Sequence, residues 1–138
     1  MKYFFDSNVI IDALTNREGA VEDERKLLYS ATVGEIQGVI AAKQITDIYY
    51  VLRKYVPSDS ARRDLLSILL EGFEVIPVNK DILKKALESD VSDYEDALID
   101  ACAEISGATA IVSNDKKGFI NGKIKAVSPE EALATISL

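Results

Sequence analysis

The run from Asp93 to Phe119, DYEDALIDACAEISGATAIVSNDKKGF, joins a helix, a buried strand and a polar loop with no linker between them. Ser92 and Glu95 fit a capping box, which predicts a helix that begins near Asp93 and stops at Gly107, a residue suited to a left-handed terminator. Ala97, Leu98, Ile99, Ala101, Cys102, Ala103 and Ile105 cover most of that helix, so it is expected to be packed on more than one side. Thr109 to Ser113 then reads as a short buried strand running straight into Asn114, Asp115, Lys116 and Lys117. Ligands of open parallel sheets bind outside the carboxyl ends of the strands, which puts Asp115 where a site is expected. Asp96, Asp100 and Glu104 fall at i, i+4 and i+8. Each such like-charged pair costs a helix about 0.2–0.5 kcal/mol, so the stripe faces water unless a cation lies near.

The rest of the chain repeats the same alternation. Lys2 to Phe5 is β-prone and ends at Asp6; Ser7 and Asn8 then start a helix over Val9 to Leu14. Asn16 to Gly19 is a polar break, and Val21, Leu27, Leu28 and Val33 mark a second helix that stops at Gly34. Gly38 to Ala42 reads as the second strand. Lys43 to Tyr55 follows as a largely apolar helix with one polar stripe, Lys43, Asp47, Tyr50 and Lys54. Beyond Pro57, Ser58 opens another helix that ends at Gly72. Glu74 to Val78 is a third strand, assigned to an edge because Pro77 cannot donate to a ladder. Asn79 caps a helix through Leu87, and after the central run come a last short strand, Ile124 to Val127, and a helix from Pro129 capped by Ser128. One α/β domain over residues 1–138 is expected, with a largely parallel sheet of four or five strands. Right-handed crossovers put Asp6 and Asp115 on the same sheet edge.

Composition narrows the chemistry. There is no histidine, which excludes Ser-His-Asp and Cys-His catalysis and the commonest zinc ligand. The one cysteine, Cys102, sits in the most apolar helix, as a reduced core residue would. A metal site must therefore be built from oxygen, which favours Mg²⁺ or Mn²⁺. The net charge of −7 gives no global basic field, so a nucleic-acid substrate needs a local basic rim, for which Lys43, Lys54, Lys116 and Lys117 are candidates. No membrane-length apolar stretch occurs, and Asp6 interrupts the N-terminal run; no membrane association and a cytoplasmic location are expected.

Asp6 follows the first strand, Asp47 lies soon after the second, and Asp115 follows the fourth. Asp93 and Asp96 open the helix that feeds the fourth. Several carboxylates meeting at one edge suit a hard divalent cation, and without one they raise each other's pKa. The most economical chemistry is metal-assisted phosphodiester hydrolysis. Asp6 and Asp96 are the foremost candidates, ahead of Asp115, Asp47 and Asp93, while Asp12, Asp100 and Glu104 are expected at the surface.

FFDSNVIIDAL at the start, ITDIYYVLRK after the second strand and DYEDALIDACAEISGATAIVSNDKKGF together resemble the three blocks of the PIN domain, a family of Mg²⁺/Mn²⁺-dependent ribonucleases. The resemblance spans essentially the whole chain and implies a three-layer α/β/α fold. It implies that Asp6, Asp96, Asp115 and Asp47 are catalytic and that Asp6, Asp96, Asp115 and Asp93 hold metal. Two positions depart from the family pattern: Asp47 stands where many members have Glu, and Gly118 stands where a second acid often follows the turn. Small single-domain members resemble VapC-type toxins, which implies an RNA substrate, an antitoxin partner and a homodimer, the last also suggested by Tyr49, Tyr50 and Tyr55. The alternative within the family is a degenerate domain that binds RNA or protein without cutting. Aspartate-based phosphotransfer is disfavoured, because Asn8 and Asn79 stand where haloacid-dehalogenase-like and receiver proteins respectively need aspartate.

Overall fold

A computed structural model describes residues 1–16 and 21–136. Part of the expected break at Asn16 to Gly19 lies outside the described residues. The elements in order are β1 (Lys2–Phe5), α1 (Ser7–Thr15), α2 (Glu22–Thr32), β2 (Gln37–Ala41), α3 (Ala42–Leu52), α4 (Asp59–Gly72), β3 (Phe73–Ile76), α5 (Lys80–Leu87), α6 (Tyr94–Ser106), β4 (Ala110–Val112), a 3₁₀ turn (Lys116–Phe119), β5 (Ala126–Val127) and α7 (Pro129–Ile136). The five strands form one sheet in the order β3-β2-β1-β4-β5, and every pairing is parallel. Tyr3 pairs with Gly38 on one side and Ala110 on the other, so β1 is the central strand. β3 is at an edge, as expected, but it runs Phe73–Ile76 and not Glu74 to Val78, so Pro77 lies past its end and takes no part in the ladder.

Side chains of a strand alternate between faces, so each face of this sheet needs its own cover. Tyr3 and Phe5 point into a core closed by α1, α2, α3, α4 and α7; Phe4 points into a second core closed by α5 and α6. Phe4, Phe5, Ile40 and Ile111 are fully buried. Parallel strands buried on both faces read as continuous apolar runs, which is how FF, GVIAA and AIV appear in the sequence. The result is a three-layer α/β/α domain.

Local signals account for most helix ends. Ser58 Oγ accepts from the Ala61 N–H at 3.2 Å, and Asn79 Oδ1 accepts from the Ile82 N–H at 3.0 Å. Gly107 closes α6 at φ 76°, a left-handed conformation that favours glycine. Ser128 and Glu131 form a reciprocal capping box at α7, with bonds of 3.1 and 2.9 Å. At α6 the cap falls one residue later than expected, because the Asp93 carboxylate, and not Ser92, accepts from the Asp96 N–H at 3.0 Å.

Two acids expected at the surface are core residues. Asp100 is 3% exposed and accepts from the Lys123 and Ile124 N–H groups, both at 2.9 Å. It fastens the segment leading to β5 against α6, meeting two backbone donors that burial would otherwise leave unpaired. Asp12 is 4% exposed and accepts from Asn114 Nδ2 at 2.8 Å, tying α1 to the loop after β4. Glu104 pairs with Lys85 of α5.

Candidate functional site

The reversal of strand order on either side of β1 opens a crevice at the carboxyl edge of the sheet. Asp6 stands there as the first residue beyond β1, its N–H donating to the Val112 carbonyl of β4 at 2.9 Å. Its carboxylate is held at both oxygens: Oδ1 accepts from the Ser7 N–H, capping α1, and Oδ2 accepts from Ser113 Oγ, each at 2.8 Å. Burial pushes this carboxyl above its ordinary value; the two hydrogen bonds oppose the rise, and the charge of Asp115 adds to it.

Ser113, fully buried at the end of β4, has a second task. Its oxygen accepts from the Asp115 N–H at 2.9 Å, so a single hydroxyl fixes the Asp6 carboxylate and the backbone that carries Asp115. Asp96 enters from the other wall, in the first turn of α6. Its pKa is raised to about 6, first by burial and then by the charges of Asp6, Asp93, Asp115 and Glu95. Gly118 explains how two of these acids share one space. A Cβ at that position would lie 2.7 Å from Asp96 Oδ2 and 3.3 Å from Asp115 Oδ2, so both carboxylates lean over the bare glycine. A side chain at position 118 would push the Asp96 carboxylate aside, so the glycine leaves room for the two acids as they stand.

A cleft of about 340 Å³ runs from Asp6 and Asp96 along α3, where Asp47, Lys43 and Tyr50 line it together with Glu95. Lys43 Nζ lies 2.6 Å from Asp47 Oδ2. That bond, with smaller help from the charge of Glu95, raises the ammonium pKa, although burial opposes it. Gln44, 2% exposed, holds the floor: its Nε2 donates to the Phe5 carbonyl at 2.9 Å and to Ser7 Oγ at 3.0 Å, and its Oε1 accepts from the Ala41 N–H at 2.7 Å.

Of the five acids singled out from sequence, Asp6, Asp96 and Asp47 line this cleft. Asp115 faces Asp96 across Gly118, and Asp93 is an exposed helix cap whose charge reaches Asp96. Lys116, a candidate for the basic rim, pairs with Glu131 of α7 at 2.8 Å. Sequence reasoning missed Glu95, Gln44 and Ser113. Glu95 belongs by sequence to a capping box with Ser92, which does not form. Gln44 did carry a signal, a Gln at the third helical position able to reach back to the preceding N–H.

Among the described residues, no three acidic or cysteine side chains lie close enough to enclose a metal ion by themselves. The donors are all carboxylate oxygens, and burial with neighbouring acid charge raises the pKa of Asp6 and Asp96, an environment that a hard divalent cation relieves. Mg²⁺ in particular is held by one or two carboxylates, with water and substrate oxygens completing its shell, so a full protein cage is not required. The residues therefore fit such an ion.

An all-parallel five-stranded sheet flanked by helices, with acids gathered at the carboxyl edge of its central strands, defines a class of α/β domain with one open acidic site. The chain belongs to the PIN domain family, whose model matches residues 2–117. No curated protein sequence matches it at a significant level. Among solved structures it is similar to VapBC2 from Rickettsia felis bound to a promoter DNA fragment, with 18% identity and a TM-score of 0.67 over 93% of this chain and 98% of that one. It is also similar to PAE2754 from Pyrobaculum aerophilum, at 20% identity and 0.65 over 99% and 90%. The sarcin-ricin loop cleaving toxin VapC20 from Mycobacterium tuberculosis aligns at 14% identity and 0.62 over 79% and 86%. FitAB bound to a DNA fragment aligns at 14% and 0.71 over 92% and 94%. At these identities the likeness is one of fold. Among the described residues, no helix is long and apolar enough to cross a membrane.

Proposed function

We propose that the protein is a Mg²⁺- or Mn²⁺-dependent endoribonuclease and the toxin of a toxin–antitoxin pair. The observation that carries this is the approach of Asp96 and Asp115 over Gly118, beside an Asp6 whose carboxylate is fixed at both oxygens. Asp6, Asp96 and Asp115 would share the ion with water and substrate oxygens, one or two of them as direct ligands, with Asp93 adding charge from the head of α6. When bound, the ion supplies a Lewis acid and lowers the pKa of water in its shell. The chain does the positioning. Ser113 orients Asp6 and the Asp115 backbone, Gln44 locks β1 to α3, and Lys43 offers an ammonium to the phosphate when its pairing with Asp47 is exchanged. RNA as substrate and a protein antitoxin as partner are supported by the neighbours: one is a sarcin-ricin loop cleaving toxin, and two others are VapBC2 and FitAB bound to DNA fragments.

A homodimer is part of the proposal, and of the three tyrosines suggested for its interface Tyr50 and Tyr55 are exposed. Tyr49 is used within the chain, its hydroxyl donating to Asp59 and its ring covered by Arg62. Ile68 and Leu70 of α4 are exposed apolar residues available for such a contact. Light scattering at micromolar concentration tests it.

A second reading, a non-catalytic binding module, is favoured by the Lys43–Asp47 pair, which occupies one of the proposed acids. Incubating the protein with labelled RNA in EDTA and then in Mg²⁺ or Mn²⁺ separates the two. Cleavage only with metal is expected. Cleavage unchanged by EDTA removes the metal mechanism, and no cleavage of any RNA in either metal favours the binding module.

A further inference from the structure

The fold treats two adjacent tyrosines of α3 differently. Tyr49 ties α3 to α4 through Asp59 and Arg62. Tyr50 is 69% exposed, lines the carboxylate cleft, and its hydroxyl has no hydrogen-bond partner among the described residues. The Arg53 guanidinium lies 5.6 Å from its ring centroid and meets no carboxylate within 4.0 Å among the described residues. The lip of the cleft therefore carries an unused aromatic face with an uncommitted cation beside it. Lys43, Asp47 and Tyr50 follow at i, i+4 and i+7, so the ring stands about 10 Å along the helix from Lys43, at 1.5 Å per residue.

We propose that Tyr50, with Arg53 against its ring, is a stacking platform for an unpaired nucleobase of an RNA strand whose backbone enters the Asp6–Asp96 cleft. This deepens the ribonuclease reading and rests on it. Single-stranded RNA is recognised by splaying bases onto aromatic rings and guanidinium planes while cations track the phosphates. The charge on this rim suits a polyanion, since Lys43, Arg53 and Lys54 are all exposed along it. A second copy of the chain suits it poorly. The exposed residues around Tyr50 include Lys43, Thr46 and Asp47 on α3 and Arg53, Lys54 and Tyr55 just past its end, a mostly polar and charged set, whereas the core of a homodimer interface is apolar.

The test measures binding apart from cleavage. The Asp6→Asn protein, in Mg²⁺, is titrated into a fluorescein-labelled single-stranded RNA and followed by anisotropy, alone and with Tyr50→Ala, Tyr50→Phe or Arg53→Gln added. Stacking on one aromatic predicts at least a fivefold loss of affinity for Tyr50→Ala and near-parent affinity for Tyr50→Phe. An abasic ribose-phosphate strand should bind the parent and the Tyr50→Ala protein alike, and Arg53→Gln should lower the slope of log affinity against log salt by about one. If the parent binds RNA and Tyr50→Ala binds equally well, the platform is overturned while the ribonuclease reading stands. If the parent binds no RNA, both fall. If lost affinity tracks conversion of a dimer to a monomer by light scattering at the assay concentration, the ring serves a second copy and the proposal is overturned.

Discussion

Replacing Asp96 with Asn should make the metal-free protein more stable. The Asp96 carboxyl sits at about 6 instead of 3.8, and among the described residues its carboxylate accepts no hydrogen bond that Asn would lose. A rise of that size corresponds to about 3 kcal/mol at 1.36 kcal/mol per unit. Because part of the group faces water, screening reduces this to about 1.5 kcal/mol. The negative charge in the first turn of α6 is itself worth about 0.5 kcal/mol to the helix, which leaves a net gain of about 1 kcal/mol on neutralisation. For a chain of this length that is an increase in Tm of about 4 °C. The sign follows from proton binding. Between the unfolded pKa near 3.8 and the folded value near 6, the folded state holds more protons, so this contribution favours folding below the window and is lost as pH rises through it. The variant's advantage should be absent near pH 3.5, grow between pH 4 and 7, and be complete at pH 7.5. Thermal melts in EDTA across that range measure it. Mg²⁺ or Mn²⁺ should then stabilise wild type more than the variant. A variant that melts no higher than wild type at pH 7.5, or whose advantage does not shrink in acid, would refute the raised pKa of Asp96 that burial and neighbouring acid charge produce together. Asp6→Asn is the poorer probe, because the Asp6 carboxylate also caps α1 and accepts from Ser113, and those contributions offset the relief of repulsion.

In RNA cleavage assays with metal, Asp6→Asn and Asp96→Asn should each lower turnover about 100-fold or more, as loss of several kcal/mol of metal-assisted stabilisation requires. Asp47→Asn and Asp115→Asn should fall less, by about 10-fold; wild-type turnover from Asp96→Asn would remove it from the site. Asp100→Ala should cost about 2 kcal/mol of stability, measured by urea unfolding, because it removes the acceptor of the part-buried Lys123 and Ile124 N–H groups. A loss under about 1 kcal/mol would show that water replaces the carboxylate without penalty.

What could be read from the sequence was written in short windows. Ser58, Asn79, Gly107 and Ser128 mark helix ends through bonds that span three or four residues, so residue type alone carried them. The strands were legible because burial on both faces demands continuous apolar runs. Asp6 was legible as an acid at a strand end for the same local reason, and the all-oxygen chemistry followed from the absence of histidine.

The tertiary structure decided which of many similar acids meet. Asp96 and Asp100 belong to one stripe of one helix, yet one leans into the cleft and the other is buried under a segment 23 residues further on. Ser92 and Asp93 are both competent caps. The choice between them shifts the start of the helix by one residue, or about 100° of rotation, and freed Glu95 to line the cleft. Gly118 looked like a lost acid until its missing side chain proved to be the space that Asp96 and Asp115 share. Tyr49 and Tyr50 are the same residue type one position apart, and only the packing of α4 against α3 assigns one to the fold and leaves the other to solvent. Periodicity and capping act over one or two turns. The site joins positions 6, 96 and 115, which are neighbours only because parallel crossovers bring β1, β4 and the head of α6 to one edge.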